Sequence, residues 1–97
     1  AVANLVNANL AQATLTGATL NDATLNGANL AGAYLNGANL TGANLTEATM
    51  GYADLTGANL TDSDLSFAAL ASVTGWNTVK GKDTIIGLGQ AFNVPAS

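Results

Sequence analysis

From Leu5 to Leu70 a leucine returns every fifth residue, with Met50 as the one exchange, and an alanine stands two places before almost every one. Ala3-Asn4-Leu5, Ala8-Asn9-Leu10, Ala28-Asn29-Leu30 and Ala58-Asn59-Leu60 show the unit. A period of five suits neither common regular structure. An α-helix turns about 100° per residue, so five residues advance about 500° and scatter the leucines around the cylinder. In a straight strand side chains alternate faces, so an odd period sends successive leucines to opposite sides. All the leucines share one core only if the chain turns a corner once per repeat, which is the demand of a β-solenoid.

Positions within the unit sort by role. With leucine as i, the inward positions are i and i−2. Position i−2 is alanine from Ala3 to Ala58, then Ser63 and Ala68. Position i+2 is glycine at 17, 27, 32, 37, 42 and 57, and elsewhere Asn7, Gln12, Asp22, Glu47, Tyr52, Asp62 and Phe67. Glycine, asparagine and aspartate permit turn geometry, so i+2 is the corner. Asn26-Gly27 and Asn36-Gly37 are hairpin-type pairs, but no run between corners is long enough to be a hairpin arm.

This pattern, A-(N/D)-L-x-x in fourteen consecutive repeats over residues 3 to about 72, resembles the pentapeptide-repeat family. The resemblance implies an all-β chain folded as a right-handed quadrilateral β-helix with four repeats per coil. Fourteen repeats then make about 3.5 coils, roughly 17 Å long at the inter-strand spacing. A coil of four repeats stacks Leu25 with Leu45, Leu30 with Met50, Leu35 with Leu55 and Leu40 with Leu60. These eight are the expected core, and the hydroxyl of the inward Ser63 needs a backbone partner.

The domain organisation expected is a repeat β-helix over 1–72 and a C-terminal capping tail over 73–97. Open solenoid edges need covering. The tail holds the single Trp and both Lys of the chain. Phe67, at a corner of the last coil, is expected to pack with Trp76 against the terminal edge as a cap. Asp83-Thr84-Ile85-Ile86 reads as the opening of a short helix with Asp83 as N-cap and Ile85, Ile86, Leu88 and Phe92 as its apolar side. The cap is therefore expected to be irregular or short-helical. Residues 1 and 2 offer no comparable cover, which points to a homodimer or to end-to-end stacking through the N-terminal coil. The chain opens at Ala1 without Met, the mark of a processed or trimmed product.

Composition narrows the function classes. With no Cys and no His, thiol chemistry, disulfides, Cys/His metal sites and imidazole catalysis are excluded within this chain. Lys80 and Lys82 are the only cations and the net charge is −4, a poor balance for nucleic acid. No apolar run approaches the roughly 20 residues of a membrane span. The carboxylates are Asp22, Glu47, Asp54, Asp62, Asp64 and Asp83. Asp62 and Asp64 fall close together around one corner, but a regular convex tube lacks the concavity that catalysis uses. The reading is no enzyme and no cofactor.

Two surface features stand out. Tyr34 and Asp54 fall in one outward column a coil apart, with Tyr52 at the adjoining corner, and Tyr is favoured at interfaces. These three are the candidate partner-binding residues. The second wall is the least polar outside, with Ala11, Ala31, Gly51, Ala69 and Ala71. The leading function is a non-enzymatic structural or protein–protein interaction module with an unknown protein partner. The family resemblance also implies an alternative, a DNA mimic that binds a type II topoisomerase such as gyrase and protects it from quinolones. Charge opposes it, since 17 Å of duplex carries about ten charges. The resemblance points to bacterial and especially cyanobacterial relatives, with cytoplasm, periplasm and thylakoid lumen all compatible.

Overall fold

In the computed structural model, which describes residues 2–96, residues twenty apart lie side by side. Parallel bridges join Asn4 to Thr24, Asn9 to Asn29, Thr14 to Tyr34 and Thr19 to Asn39, and the spacing holds as far as Asp54 and Thr74. Each bridge is one residue long because the chain turns again before a second pair can form. The result is a β-helix with four walls. Wall one carries Asn4, Thr24, Asn44 and Asp64; wall two carries Asn9, Asn29, Thr49 and Ala69; wall three carries Thr14, Tyr34, Asp54 and Thr74; wall four carries Thr19, Asn39 and Asn59.

The corner follows from one hydrogen bond per repeat. The N–H of each i+3 residue donates to the leucine carbonyl, as from Ala8 to Leu5 and Ala28 to Leu25 at 3.0 Å. This closes a β-turn whose third residue, i+2, must be left-handed. Every i+2 residue from Asn7 to Ser72 has φ between 58° and 71°. Between coils, the bridge residue gives and receives one bond, for example Leu25 N–H to the Asn44 carbonyl at 2.8 Å and Asn44 N–H to the Ala23 carbonyl at 2.9 Å.

That ladder leaves the N–H of i+1 without a backbone partner, and the Asn or Asp at i−1 supplies one. The side-chain oxygens of Asn4, Asn9, Asn29, Asn39, Asn44, Asp54, Asn59 and Asp64 each accept from the N–H two residues on, at 2.9–3.3 Å. The A-(N/D)-L-x-x unit is thus an inward methyl, a corner acceptor, an inward isobutyl group and a turn.

Leu25, Leu30, Leu35, Leu40, Leu45, Met50, Leu55 and Leu60 are fully buried in the tube, with the i−2 alanines between them. Each leucine contributes roughly 1.5–3 kcal/mol by leaving water. Leu5, Leu10 and Leu15 are only partly buried, since the first coil has a neighbour on one side. The Ser63 hydroxyl donates to the Leu60 carbonyl at 2.8 Å.

The ladder does not end at Leu70. Asn59 bridges Lys80, Asp64 bridges Ile86 and Ala69 bridges Phe92, so the spacing grows by one residue per side. From Val73 the sides are six residues long. The extra residue is taken up by single 3-10 turns, Trp76–Thr78, Lys82–Thr84 and Leu88–Gln90. Each follows a left-handed glycine, Gly75, Gly81 or Gly87, with φ of 76°, 79° and 74°. At Gly75 a Cβ would stand 2.6 Å from the backbone N and Cα of Thr56, so this position needs glycine for space as well as for φ.

Two sequence expectations are corrected here. No helix starts at Asp83: the turn there is Lys82–Thr84, its N-cap is Gly81, and no side chain caps it. The residues assigned to one apolar side divide instead, with Ile85 and Leu88 packed on the core and Ile86 and Phe92 outside as bridge residues. Nor do Phe67 and Trp76 form a cap together. Trp76 is buried in the corner between walls three and four, while Phe67 stands exposed at the diagonally opposite corner between walls one and two. Left-handed geometry at i+2 keeps the Phe67 side chain on the outside, as it does for the other corner residues.

Candidate functional site

Among the described residues there is no pocket and no group of three or more carboxylates placed to hold a metal ion. What the molecule offers is wall surface held rigid by the ladder, so the question is which walls depart from Asn, Thr and Gly.

Tyr34 and Asp54 are bridge partners on wall three, which sets their side chains next to one another on the outer face. Tyr52 occupies the corner between walls two and three, just before Asp54. Tyr34 is 52% and Tyr52 75% exposed. The three candidate residues therefore share one edge of the tube. Tyr52 is also a bulky residue at φ 63°, a region in which such side chains are genuine outliers.

Asp54 has a structural duty as well. Its carboxylate accepts from the Thr56 hydroxyl at 2.6 Å and the Thr56 N–H at 3.0 Å. The hydroxyl first and the N–H second hold its pKa below the ordinary carboxylate value, against a small opposing effect of burial. Asp64 on wall one is the same device, lowered by the Ser66 hydroxyl and then the Ser66 N–H. Asp62 lies in the preceding corner, where its main-chain N–H meets no ladder carbonyl and donates instead to Thr84 Oγ1 at 2.8 Å. The Asp64 carboxylate is thus engaged by Ser66, while the Asp62 side chain is exposed.

At the C-terminal end the structure brings out residues that the sequence reading placed in a cap. Phe67, Ile86 and Phe92 are 48%, 55% and 54% exposed. Ile86 tops wall one, Phe92 tops wall two, and Phe67 stands in the corner between them. The signal existed in the sequence: Thr74, Lys80, Ile86 and Phe92 recur every six residues, each followed by Gly or Asn. Lys82 lies over the Trp76 ring, 5.8 Å from its centroid, on the far side of the tube.

Comparison with known proteins bears on the same features. The family profile for pentapeptide repeats matches residues 3–42 and 38–74 with eight copies. No curated protein sequence matches the chain. Among solved structures, the pentapeptide-repeat protein Rfr23 from the cyanobacterium Cyanothece 51142 is 32% identical with a TM-score of 0.73, covering 92% of this chain and 56% of that one. HetL, a pentapeptide-repeat protein involved in heterocyst differentiation regulation in the cyanobacterium Nostoc sp. strain PCC 7120, is 28% identical with a TM-score of 0.30, covering 91% and 56%. The chain thus spans little more than half the length of either. With its repeats matched along most of their length and its tube shared with a solved relative, the chain belongs to the pentapeptide-repeat family.

Proposed function

We propose that this chain is a non-catalytic protein-interaction module whose contact surface is the edge carrying Tyr34, Tyr52 and Asp54. One observation carries the reading: Tyr52 is three-quarters exposed in a left-handed corner where glycine serves at Gly27, Gly32 and Gly37. A tyrosine there costs backbone strain, of order 1 kcal/mol or more, and gives the fold no buried contact in return. Tyr34 beside it adds a second large amphipathic side chain on a rigid wall, the type of anchor that interfaces favour. Residues 73–96 act as the closing turn of this module, burying Trp76 and Val79 over the last leucines.

The duplex-mimic alternative has less support. The carboxylates are scattered over wall one, wall three and two corners, and do not line up as paired rows of phosphates would. The test is affinity capture from a cyanobacterial extract with the wild-type chain and with a Tyr34→Ala/Tyr52→Ala double variant. Loss of a specific captured protein in the double variant, with an unchanged circular dichroism spectrum, supports the module; an identical set of captured proteins overturns this surface.

A further inference from the structure

The edge that carries the two tyrosines also holds a fixed negative charge. Wall three stacks Thr14, Tyr34, Asp54 and Thr74 in one column. The ladder pins the middle of that column: Asp54 N–H donates to the Ala33 carbonyl at 2.9 Å, and Leu35 N–H to the Asp54 carbonyl at 2.8 Å. The backbones of Tyr34 and Asp54 are therefore about 4.8 Å apart, the spacing of neighbouring strands. Tyr52 rises from the corner of the same coil, two residues before Asp54.

The Asp54 carboxylate is held but not saturated. Both Thr56 donors go to Oδ1. The one further donor near the group is the Thr74 hydroxyl of the coil above, with a smaller effect. A carboxylate offers about four acceptor positions, so at least one stays open to an outside donor. The same contacts keep the group ionised at neutral pH. Beside it stand two aromatic rings that are more than half exposed.

Charge sets this edge apart from the rest of the tube. The chain has two cations, and both lie elsewhere. Lys80 bridges Asn59 on wall four, and Lys82 is in the turn after it, at the corner diagonally opposite Tyr52. Neither acts on the Asp54 carboxylate, and Lys82 lies over the Trp76 ring instead. A matching partner must bring the missing positive charge together with a flat face for the tyrosines. An arginine guanidinium does both: it is planar, stacks on aromatic faces and donates to carboxylate oxygens. It is also more weakly hydrated than an ammonium, which matters on an open wall without a pocket.

We infer that the Tyr34–Tyr52–Asp54 edge binds an arginine side chain of a protein partner, its guanidinium plane against the tyrosines and its N–H groups on the Asp54 carboxylate. This rests on the interaction-module reading and names what the partner presents. Asp64 is a built-in control. It is the same carboxylate device on wall one, with Asn44 and Ile86 rather than a tyrosine in its column.

The test titrates the full chain with three blocked tripeptides, glycine–X–glycine with X as arginine, lysine or citrulline, and follows amide and ring shifts by NMR. Citrulline keeps the shape and loses the charge; lysine keeps the charge and loses the plane. The arginine peptide is expected to move Tyr34, Tyr52, Asp54 and Thr56 and to leave Asp64 and Ser66 nearly still. Its affinity is expected to be at least about threefold above that of the citrulline peptide and about twofold above that of the lysine peptide. Asp54→Asn, which keeps the accepting side-chain oxygen, is expected to bring arginine down to the citrulline level with melting unchanged. Tyr34→Leu and, separately, Tyr52→Gly each remove one ring and are expected to weaken arginine binding about twofold. Neither is expected to lower the melting temperature, since leucine keeps bulk on the wall and glycine accepts φ 63°. Equal affinity for arginine and citrulline, lysine binding as tightly as arginine, no shift with any peptide, or shifts at Asp64 as large as those at Asp54 overturns the inference. If a captured cellular protein is lost on Tyr34→Ala/Tyr52→Ala but kept on Asp54→Asn, the module stands and arginine recognition falls.

Discussion

The walls of five-residue sides, residues 3–72, and the turn of six-residue sides, residues 73–94, carry the same parallel ladder but accept different residues at their corners. In the first region i+2 is glycine or any of Asn, Gln, Asp, Glu, Tyr, Phe and Ser. In the second the left-handed residue comes directly after the bridge residue, at Gly75, Gly81 and Gly87, with Asn93 at the end. The left-handed φ is common to both, so it does not explain the difference. Space does. A Cβ at Gly57 would find its nearest neighbour, the Gly37 nitrogen, 4.0 Å away, whereas at Gly81 it would lie 2.7 Å from Thr61 Cα. On a six-residue side the left-handed glycine lies over the i+1 residue of the coil below, Thr56, Thr61 or Ser66, where a Cβ has no room. A corner residue on a five-residue side is consequently free to serve the surface; one on a six-residue side is committed to the fold.

The comparison yields predictions of decreasing size. Leu45→Asp, which sets a charge in the fully buried tube both regions stand on, is expected to abolish folding, because the desolvation cost matches the whole stability of a small domain, about 5–15 kcal/mol. Circular dichroism and a melting curve check it, and native-like values for both would break the stacking picture. Gly81→Ala is expected to cost about 2–4 kcal/mol from clash and φ together, against about 1–2 kcal/mol for Gly57→Ala from φ alone. Urea melts of the two variants give the contribution of close approach by difference; equal losses would mean that φ was the whole constraint.

Thr78→Val sharpens the boundary between the regions. The Thr78 hydroxyl donates to the Gly75 carbonyl at 2.6 Å and accepts from Gly57 N–H at 2.8 Å. It takes the part that a carbonyl plays lower in the tube, and its loss is expected to cost about 1–2 kcal/mol with faster amide exchange at Gly57. Glu47→Gly, at a five-residue corner, runs the other way: relief of its φ of 62° is offset in part by glycine's greater freedom when unfolded, leaving a gain of up to about 1 kcal/mol in a urea melt.

The smallest effect concerns pH. The folded-state pKa values of Asp54 and Asp64 are depressed, so their contribution is present above the unfolded carboxyl value and is lost as pH falls through the folded one. Both groups are partly solvated, and the loss is expected to be a slight fall in melting temperature on acidification. Asp54→Asn/Asp64→Asn keeps the accepting side-chain oxygen at the corner, and should flatten that fall while leaving the neutral-pH melting point nearly unchanged.

The inside of the five-residue region was open to reading because period, residue volume and turn chemistry all speak to it. Leucine and alanine positions give the core, and Gly, Asn and Asp at i+2 give the corners. The purpose of Asn or Asp at i−1 was not readable, since it depends on knowing which backbone N–H the ladder leaves over. The tail was misread for a related reason. Val73-Thr74-Gly75-Trp76-Asn77-Thr78 and Val79-Lys80-Gly81-Lys82-Asp83-Thr84 are two copies of one unit. The change of period from five to six, together with the loss of leucine, made them look like the end of order. The surface was partly legible. Tyr34, Tyr52 and Asp54 could be placed from the column count, but Phe67 with Phe92 could not, because their proximity depends on the register of the six-residue sides.

That change of register has a meaning as simple arithmetic. Up to Thr74 each circuit of the tube is twenty residues, and then the partners drift to twenty-one, twenty-two and twenty-three. A further circuit of five-residue sides laid on this rim would arrive one residue early at every corner, its leucines sliding toward the bends. The perimeter of the last circuit has outgrown the repeat beneath it, yet the ladder holds, so the bridges and not the residue count are what the stack conserves.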